Sequence, residues 1–223
     1  KRQGVDVDTR LVSASGTEAV LYVARECEAD LIVTGTRGLT GFKHLLLGST
    51  AEAIVRTAGR PVLSVHPGDA VPGDGCLRVL LPTDFSDHAE LALDHAVALL
   101  AEKPAQCSLI LVHVIHTPAL LAPMVGDVAM RQVFVQQARE SAAEEIEQLA
   151  EAFRADGHEV ETVIREGDPA ETLADIAADK DAALIAMGTR GLTGLKRIVQ
   201  GSVADRTVRH APCPVLTVPR DDG

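Results

Sequence analysis

Short apolar runs alternate along the chain with longer stretches whose apolar positions recur every three to four residues. In residues 17–28 Ala19, Val20, Val23, Ala24 and Cys27 fall on one face, which predicts a helix. Residues 29–34 form a nearly continuous apolar run that stops at Gly35, the pattern of a strand buried on both faces of a parallel sheet. Before them, Val5, Val7 and Thr9 alternate as one face of a further strand. Ser49, Thr50, Ala51 and Glu52 have capping-box form and predict a helix through Ala58; Pro61 breaks it, and Val62 to Val65 is a strand. Farther on, the pattern predicts strands over 77–81, 108–115, 159–165, 182–187 and 214–218. Helices are predicted over 88–102, capped by Ser86 or Asp87, and over 132–155, 169–179 and 203–210. Residues 117–130, with two Pro and one Gly, read as irregular. Strands alternating with helices imply an α/β fold around a parallel sheet.

The chain repeats itself. Residues 4–65 align without gaps on 157–218 at a constant offset of 153, matching Gly4 with Gly157, Glu18 with Glu171, Lys43 with Lys196 and Pro61 with Pro214. Seven residues from Gly35 to Gly41 recur identically from Gly188 to Gly194, and each copy then places Gly-Ser at the same distance, as Gly48-Ser49 and Gly201-Ser202. Residues 1–68 therefore correspond to the later half of a unit, 69–75 form a Pro-, Gly- and Asp-rich linker, and 76–220 form a complete unit.

Composition narrows the function. The formal net charge of -11 argues against nucleic acid and against anionic membranes, which need a basic footprint. With no Trp, one Tyr and four Phe, stacking platforms for single strands are scarce. The four cysteines form no C-x-x-C pair and suit reduced thiols in a cytoplasmic protein. No apolar run approaches ~20 residues, so no transmembrane helix is expected. No signal-peptide pattern is visible, although the chain begins at Lys1 without Met.

The repeated loop carries the candidate chemistry. A strand ending in Gly, a glycine turn and a Gly-Ser opening a helix would offer unpaired N–H groups and a positive helix end to an oxyanion. Ser49 and Ser202 could donate to a phosphate or cap their own helices, and the whole loop could be a tight strand-to-helix turn without ligand. The loop is neither a Walker A motif nor a dinucleotide fingerprint. Arg37, Lys43, Arg190, Lys196 and Arg197 add positive charge beside the loops, either to screen a polyphosphate or as solvated side chains. Asp84 ends the first strand of the longer unit, where its carboxylate could accept from ribose hydroxyls or cap the helix that follows.

Three motifs in order resemble the universal stress protein family: Leu80 to Ser86, Leu111 to Ile115, and Gly188-x2-Gly191-x9-Gly201-Ser202. The resemblance spans 76–220, residues 1–68 match the later half of a second such domain, and the spaced glycines match the ATP-binding subclass. It implies an open five-stranded parallel sheet with helices on both faces, Rossmann-like, here in tandem with the first copy incomplete. It implies that Pro82, Thr83 and Val114 line an adenine pocket, that Asp84 and Gly188 hold the ribose, and that Gly191, Gly201, Ser202 and Val203 bind phosphates, with a modest part for Arg190. In the first copy Gly35, Gly38, Gly48, Ser49 and Thr50 match the phosphate loop, whereas its adenine half has no matching residues, so a complete first site needs residues from elsewhere. The implied cofactor is ATP (or ADP or AMP) with Mg2+, and the implied role is a cytoplasmic stress-response sensor or regulator. Pairing is expected between Val62–Val65 and Val215–Val218, within the chain or in a homodimer.

No general base stands beside the loop, so the expectation is a binding protein with at most slow ATP hydrolysis. A nucleotide-independent scaffold of the same fold is the alternative, and an adenylating or nucleotide-hydrolysing enzyme a third reading. Histidine pairs give no metal site: His113 and His116 point to opposite faces of a strand, and His88 and His95 sit seven apart on a helix. Cys213, between two prolines, reads as a small packed residue.

Overall fold

The computed structural model describes residues 6–36, 48–69, 77–100, 107–116, 128–189 and 202–219. The chain runs α1 (Gly16–Glu26), β1 (Ile32–Gly35), α2 (Ser49–Thr57), β2 (Val62–Val65), β3 (Leu77–Pro82), α3 (Asp87–Leu100), β4 (Cys107–Ile115), α4 (Val128–Ala155), β5 (Glu159–Glu166), α5 (Pro169–Asp179), β6 (Leu184–Gly188), α6 (Ser202–His210) and β7 (Val215–Val218). One seven-stranded sheet has the order β1-β2-β7-β6-β3-β4-β5. The longer unit supplies five parallel strands, as expected, and the first copy adds two more.

The join is antiparallel, β2 on β7. Leu63 faces Leu216, flanked by Val62 opposite Thr217 and Ser64 opposite Val215. Leu63 and Leu216 hold the same place in the repeat, so a pseudo-two-fold axis passes between them, as in an isologous interface within one chain. The pairing foreseen between these strands occurs within the chain.

Helices cover both faces of the five-stranded part. Leu80, Ile110, Val112, Ile185 and Val215 bury against α5 and α6 on one face. Val79, Leu81, Leu109, Leu111, Ala186 and Leu216 bury against α3 and α4 on the other. One face of the β1–β2 corner is covered by helices: Ile32 and Val62 pack with Val20, Leu21 and Ala24 of α1 and Ile54 and Val55 of α2. On the other face Leu31 and Leu63 pack partly buried at the margin of the α3–α4 core, while Val33 stays exposed.

The same local signals shape both copies. Ser15 and Asp168 cap α1 and α5, accepting from the amides of Glu18 and Glu171. Glu28 and Asp181, 153 residues apart, both take positive φ, at 50° and 49°. Each then leads back toward the sheet through a main-chain bond, Ala29 N to Ala24 O and Ala182 N to Ala177 O.

Four expectations are corrected. Residues 6–13 form no strand, and Val7 and Leu11 are exposed; Val5 lies outside the described residues. The matching β5 exists because β4 pairs with it over eight positions, and these early residues have no such partner among the described residues. The expected two-sided burial of β1 fails at Val33, which is 62% exposed. Gly48, not Ser49, occupies the N-cap of α2, with no side-chain cap bond, because the Gly48 amide turns back to the carbonyl of Thr36. The helix expected from residue 132 begins at Val128, inside the stretch read as irregular. Among the described residues, no helix is long and apolar enough to cross a membrane.

Candidate functional site

Strand β3 is where the sheet order reverses. From it the chain winds one way to β4 and β5, and the other way to β6 and β7. A crevice opens outside the carboxyl ends of strands at such a switch point. Pro82 ends β3 and Gly188 ends the neighbouring β6, while Val112 pairs with Pro82 and places Val114 two residues onward on the same edge. Pro82, Thr83, Asp84, Val114 and Gly188 thus gather at one edge of the sheet.

The turn after β3 is tightly specified. Thr83 donates its amide to the carbonyl of Val112 at 2.9 Å, extending the ladder one step past the strand. Its hydroxyl accepts from the amide of Phe85 at 3.0 Å, and Phe85 itself sits at φ 61°, the left-handed region that a bulky residue occupies only when its surroundings hold it. Asp84 Oδ1 accepts from the amide of Ser86 at 3.2 Å and from its hydroxyl at 2.6 Å. The Ser86 hydroxyl in turn accepts from the amide of Ala89 at 3.2 Å, so Ser86 caps α3 and Asp84 braces the cap. The cap role is therefore shared, with Asp84 one step removed from the helix.

His113 completes this arrangement, a contribution that sequence reasoning missed. Its Nδ1 lies 3.0 Å from the carbonyl of Thr83; a carbonyl only accepts, so Nδ1 carries the proton. The imidazole stacks on Phe85 with centroids 4.5 Å apart and planes at 24°. The available signal was a polar residue inside an otherwise apolar strand, and it leads to a ligand search unless the neighbouring turn is known. At the end of β4, His116 Nδ1 reaches the carbonyl of Gly167, and the Gly167 amide donates to Ile115 O, which ties the β5–α5 turn to this edge. The two histidines serve different carbonyls.

The phosphate-loop residues are placed unequally. Gly38, Arg190, Gly191 and Gly201 lie outside the described residues, as do Arg37, Lys43, Lys196 and Arg197. Ser202 and Val203 open α6. The Val203 side chain packs against the core on the α5–α6 face, so the group it can offer a ligand is its main-chain amide. In the first copy Gly35 ends β1, Gly48 caps α2, and Ser49 and Thr50 begin that helix, with Thr50 against Gly16 at the start of α1. Thr36 and Thr189 are buried and donate their amides to Val65 O at 2.9 Å and Val218 O at 3.1 Å, so both loops leave the sheet in the same way.

Charge around α6 is arranged in two groups. Arg206 bridges Asp168 Oδ2 at 2.7 Å and Glu171 Oε1 at 3.3 Å, joining α6 to the start of α5. The hydrogen bond from Arg206 holds the Asp168 carboxyl below the usual range, and Asp168 raises the guanidinium in return. Arg209 bridges to Glu52 of α2 at 2.9 Å, while burial raises the Asp205 carboxyl. Cys213 is a packed residue, as read from the sequence: burial pushes its thiol up to about 12. Among the described residues no cluster of His, Cys, Asp and Glu could hold a metal ion.

A largely parallel sheet whose strand order reverses at β3, with helices on both faces of its five-stranded part, defines a Rossmann-like α/β protein. The Universal stress protein family matches residues 1–66 and again 77–219, and the chain belongs to that family. It is 36% identical over 141 residues to a universal stress protein of Methanocaldococcus jannaschii, covering 63% of this chain and 81% of the relative. A universal stress protein of Mycobacterium tuberculosis is 31% identical over 219 residues, covering 95% of this chain, which spans 68% of that relative. The crystal structure of a universal stress protein from Archaeoglobus fulgidus aligns with TM-score 0.65 and 27% identity, over 90% of this chain and 66% of that one.

Proposed function

We propose that the crevice between β3 and β6 binds an adenine nucleotide, ATP or its ADP and AMP forms, and that this occupancy makes the protein a cytoplasmic stress-response sensor or regulator. The observation that carries the reading is the juxtaposition at the switch point: Thr83 and Asp84 leave β3 beside Gly188, and α6 begins at Ser202 after the glycine loop. Pro82 and Val114 supply apolar walls for adenine, Asp84 a carboxylate for ribose hydroxyls, and the first amides of α6, with Gly191, Gly201 and Ser202, the donors for phosphates. Arg190 adds charge there. Mg2+ would accompany the phosphates and offset their charge.

Residues 76–220 are read as the complete unit and carry the site proposed here, while 1–68 are read as a later half that carries the phosphate loop alone. Hydrolysis, if present, is expected to be slow, because the sequence offers no general base near the loop. The chain-internal pairing of β2 with β7 already supplies the interface that separate copies would use in a homodimer.

The test is to denature the purified protein, chromatograph what is released, and titrate ATP by calorimetry with and without Mg2+. Adenine nucleotide released, or binding at up to millimolar ATP, supports the reading; neither overturns it. Gly201→Val is expected to abolish binding while leaving the fold intact, and unchanged affinity would remove the loop from the site. Turnover above about 1 per second, the low end of ordinary enzymes, would make the protein an enzyme instead.

A further inference from the structure

We propose that two arginines of α4 close the β5 edge of the sheet to strand addition by a second copy of this chain. Strand β5 is last in the sheet order, and among the described residues β4 is its one strand neighbour. Just past β5, the Gly167 amide donates to Ile115 O of β4. Along a strand the main-chain groups of successive residues turn to opposite sides. Residues 161, 163 and 165 therefore turn toward β4, while Val160, Thr162 and Ile164 turn their amides and carbonyls outward. The strand runs eight residues, and such a row is a ready template for a further strand.

The outward carbonyls at both ends of that row accept from α4. Arg154 Nη2 lies 3.2 Å from Val160 O, and Arg139 Nη1 lies 3.5 Å from Ile164 O. Arg154 is oriented in turn by Glu147, whose Oε1 accepts from Nη1 at 2.5 Å. Packing of α4 on the sheet comes from Ile146, Ala150 and Phe153, so the two guanidinium groups are spent on the edge rather than on the core. On the α5 side the carboxylates have cations of their own, Glu161 with Lys180 and Arg78, and Asp179 with Arg165. They do not draw Arg139 and Arg154 off the edge.

The physical effect is competition. An incoming strand must place its amides on the carbonyls that the arginines already serve, and its backbone where the guanidinium groups lie. Charged side chains over an edge are a recognised way to keep sheets from joining. The strand held off is β5 of a second copy, which presents the same row of outward groups and would meet the same pair of arginines.

The experiment compares the parent chain with Arg139→Met/Arg154→Met, in which each side chain keeps an apolar stem and loses its donors. Sedimentation velocity over a concentration series is expected to show the double variant gaining mass well beyond the parent. Amide exchange of residues 160–166 is expected to slow roughly tenfold in the associated form, since pairing converts outward amides to ladder bonds. Mass that follows the parent's at every concentration overturns the proposal. Thr162→Pro removes the outward amide at the middle of the row, a change an edge strand tolerates. Added to the double variant, it is expected to restore the parent's behaviour, and association that survives it also overturns the proposal. The thermal midpoint in dilute solution separates the edge from the fold. A midpoint near the parent's supports the reading, whereas a large fall, with no protection at 160–166, traces the association to unfolding and overturns it.

Discussion

Ala186 has no exposed surface, while Val33, which holds its place in the earlier copy, is 62% exposed. The two copies share their helix caps, their left-handed turns and the bonds that send each loop off the sheet. They differ in whatever depends on elements far away in sequence. Residues 159–166 are a strand and residues 6–13 are not, although both alternate apolar with polar positions. A helix satisfies its own main chain; a strand borrows its hydrogen bonds from a neighbour, and its stability follows that neighbour.

The largest test of this contrast is Ile185→Ala against Ile32→Ala. Ile185 lies in the middle of the sheet with helices over both faces, so its truncation is expected to cost about 2–5 kcal/mol. Ile32→Ala, in a strand that pairs on one side only among the described residues and whose neighbour Val33 is exposed on the other face, is expected at the low end of that range or beneath it. Urea unfolding, compared at constant m, reads both, and equal costs would break the contrast. Next comes the exchange of the differing pair. Ala186→Val overfills a closed layer and is expected to cost about 1–3 kcal/mol, whereas Val33→Ala should stay within about 0.5 kcal/mol of the parent.

Gly167 sharpens the same point, for its counterpart is Ala14. It sits at φ 158°, and a Cβ there would meet Thr172 Oγ1. Gly167→Ala is expected to cost about 1–3 kcal/mol, with part of the loss recovered in a Gly167→Ala/Thr172→Ala double variant. Thermal denaturation of the four proteins in that cycle checks it, and simple additivity would deny the contact.

The smallest effects are at the two caps. Ser15→Ala should cost about 1 kcal/mol, the usual worth of a hydroxyl cap. Asp168→Ser keeps a cap but loses the pairing with Arg206, a half-exposed bridge worth about 0.2–1 kcal/mol. Arg206 holds the folded Asp168 carboxyl below its unfolded value, so its contribution is full above about pH 3.9 and is lost as pH falls through the folded value. The gap between parent and Asp168→Ser should therefore close in acid, read by thermal denaturation across pH.

Much of the fold is legible in the order of residues alone. Helix α5 follows from Asp168, Pro169 and a helical spacing of apolar residues, and its bounds coincide with the expectation. The central strands follow from apolar runs, and the register of β2 on β7 is the one the repeat itself would choose. At the candidate site, the gathering of Thr83, Asp84 and Gly188 is legible from motif order and the switch-point rule. The support beneath them is not. His113 reaches a carbonyl 30 residues away and stacks on a Phe85 held at positive φ, and neither partner can be inferred from the other's sequence position.

What the sequence determined by itself was local or repeated: helix starts and stops, apolar strand cores, the two glycine loops and the symmetry relating them. Those signals act over a few residues, or are written twice. Only the tertiary structure decided that Gly48 rather than Ser49 caps α2, that Val33 faces solvent, and that residues 6–13 form no strand. Each of these depends on which distant backbone is present to accept a hydrogen bond or exclude water, and such a neighbour is supplied by the fold.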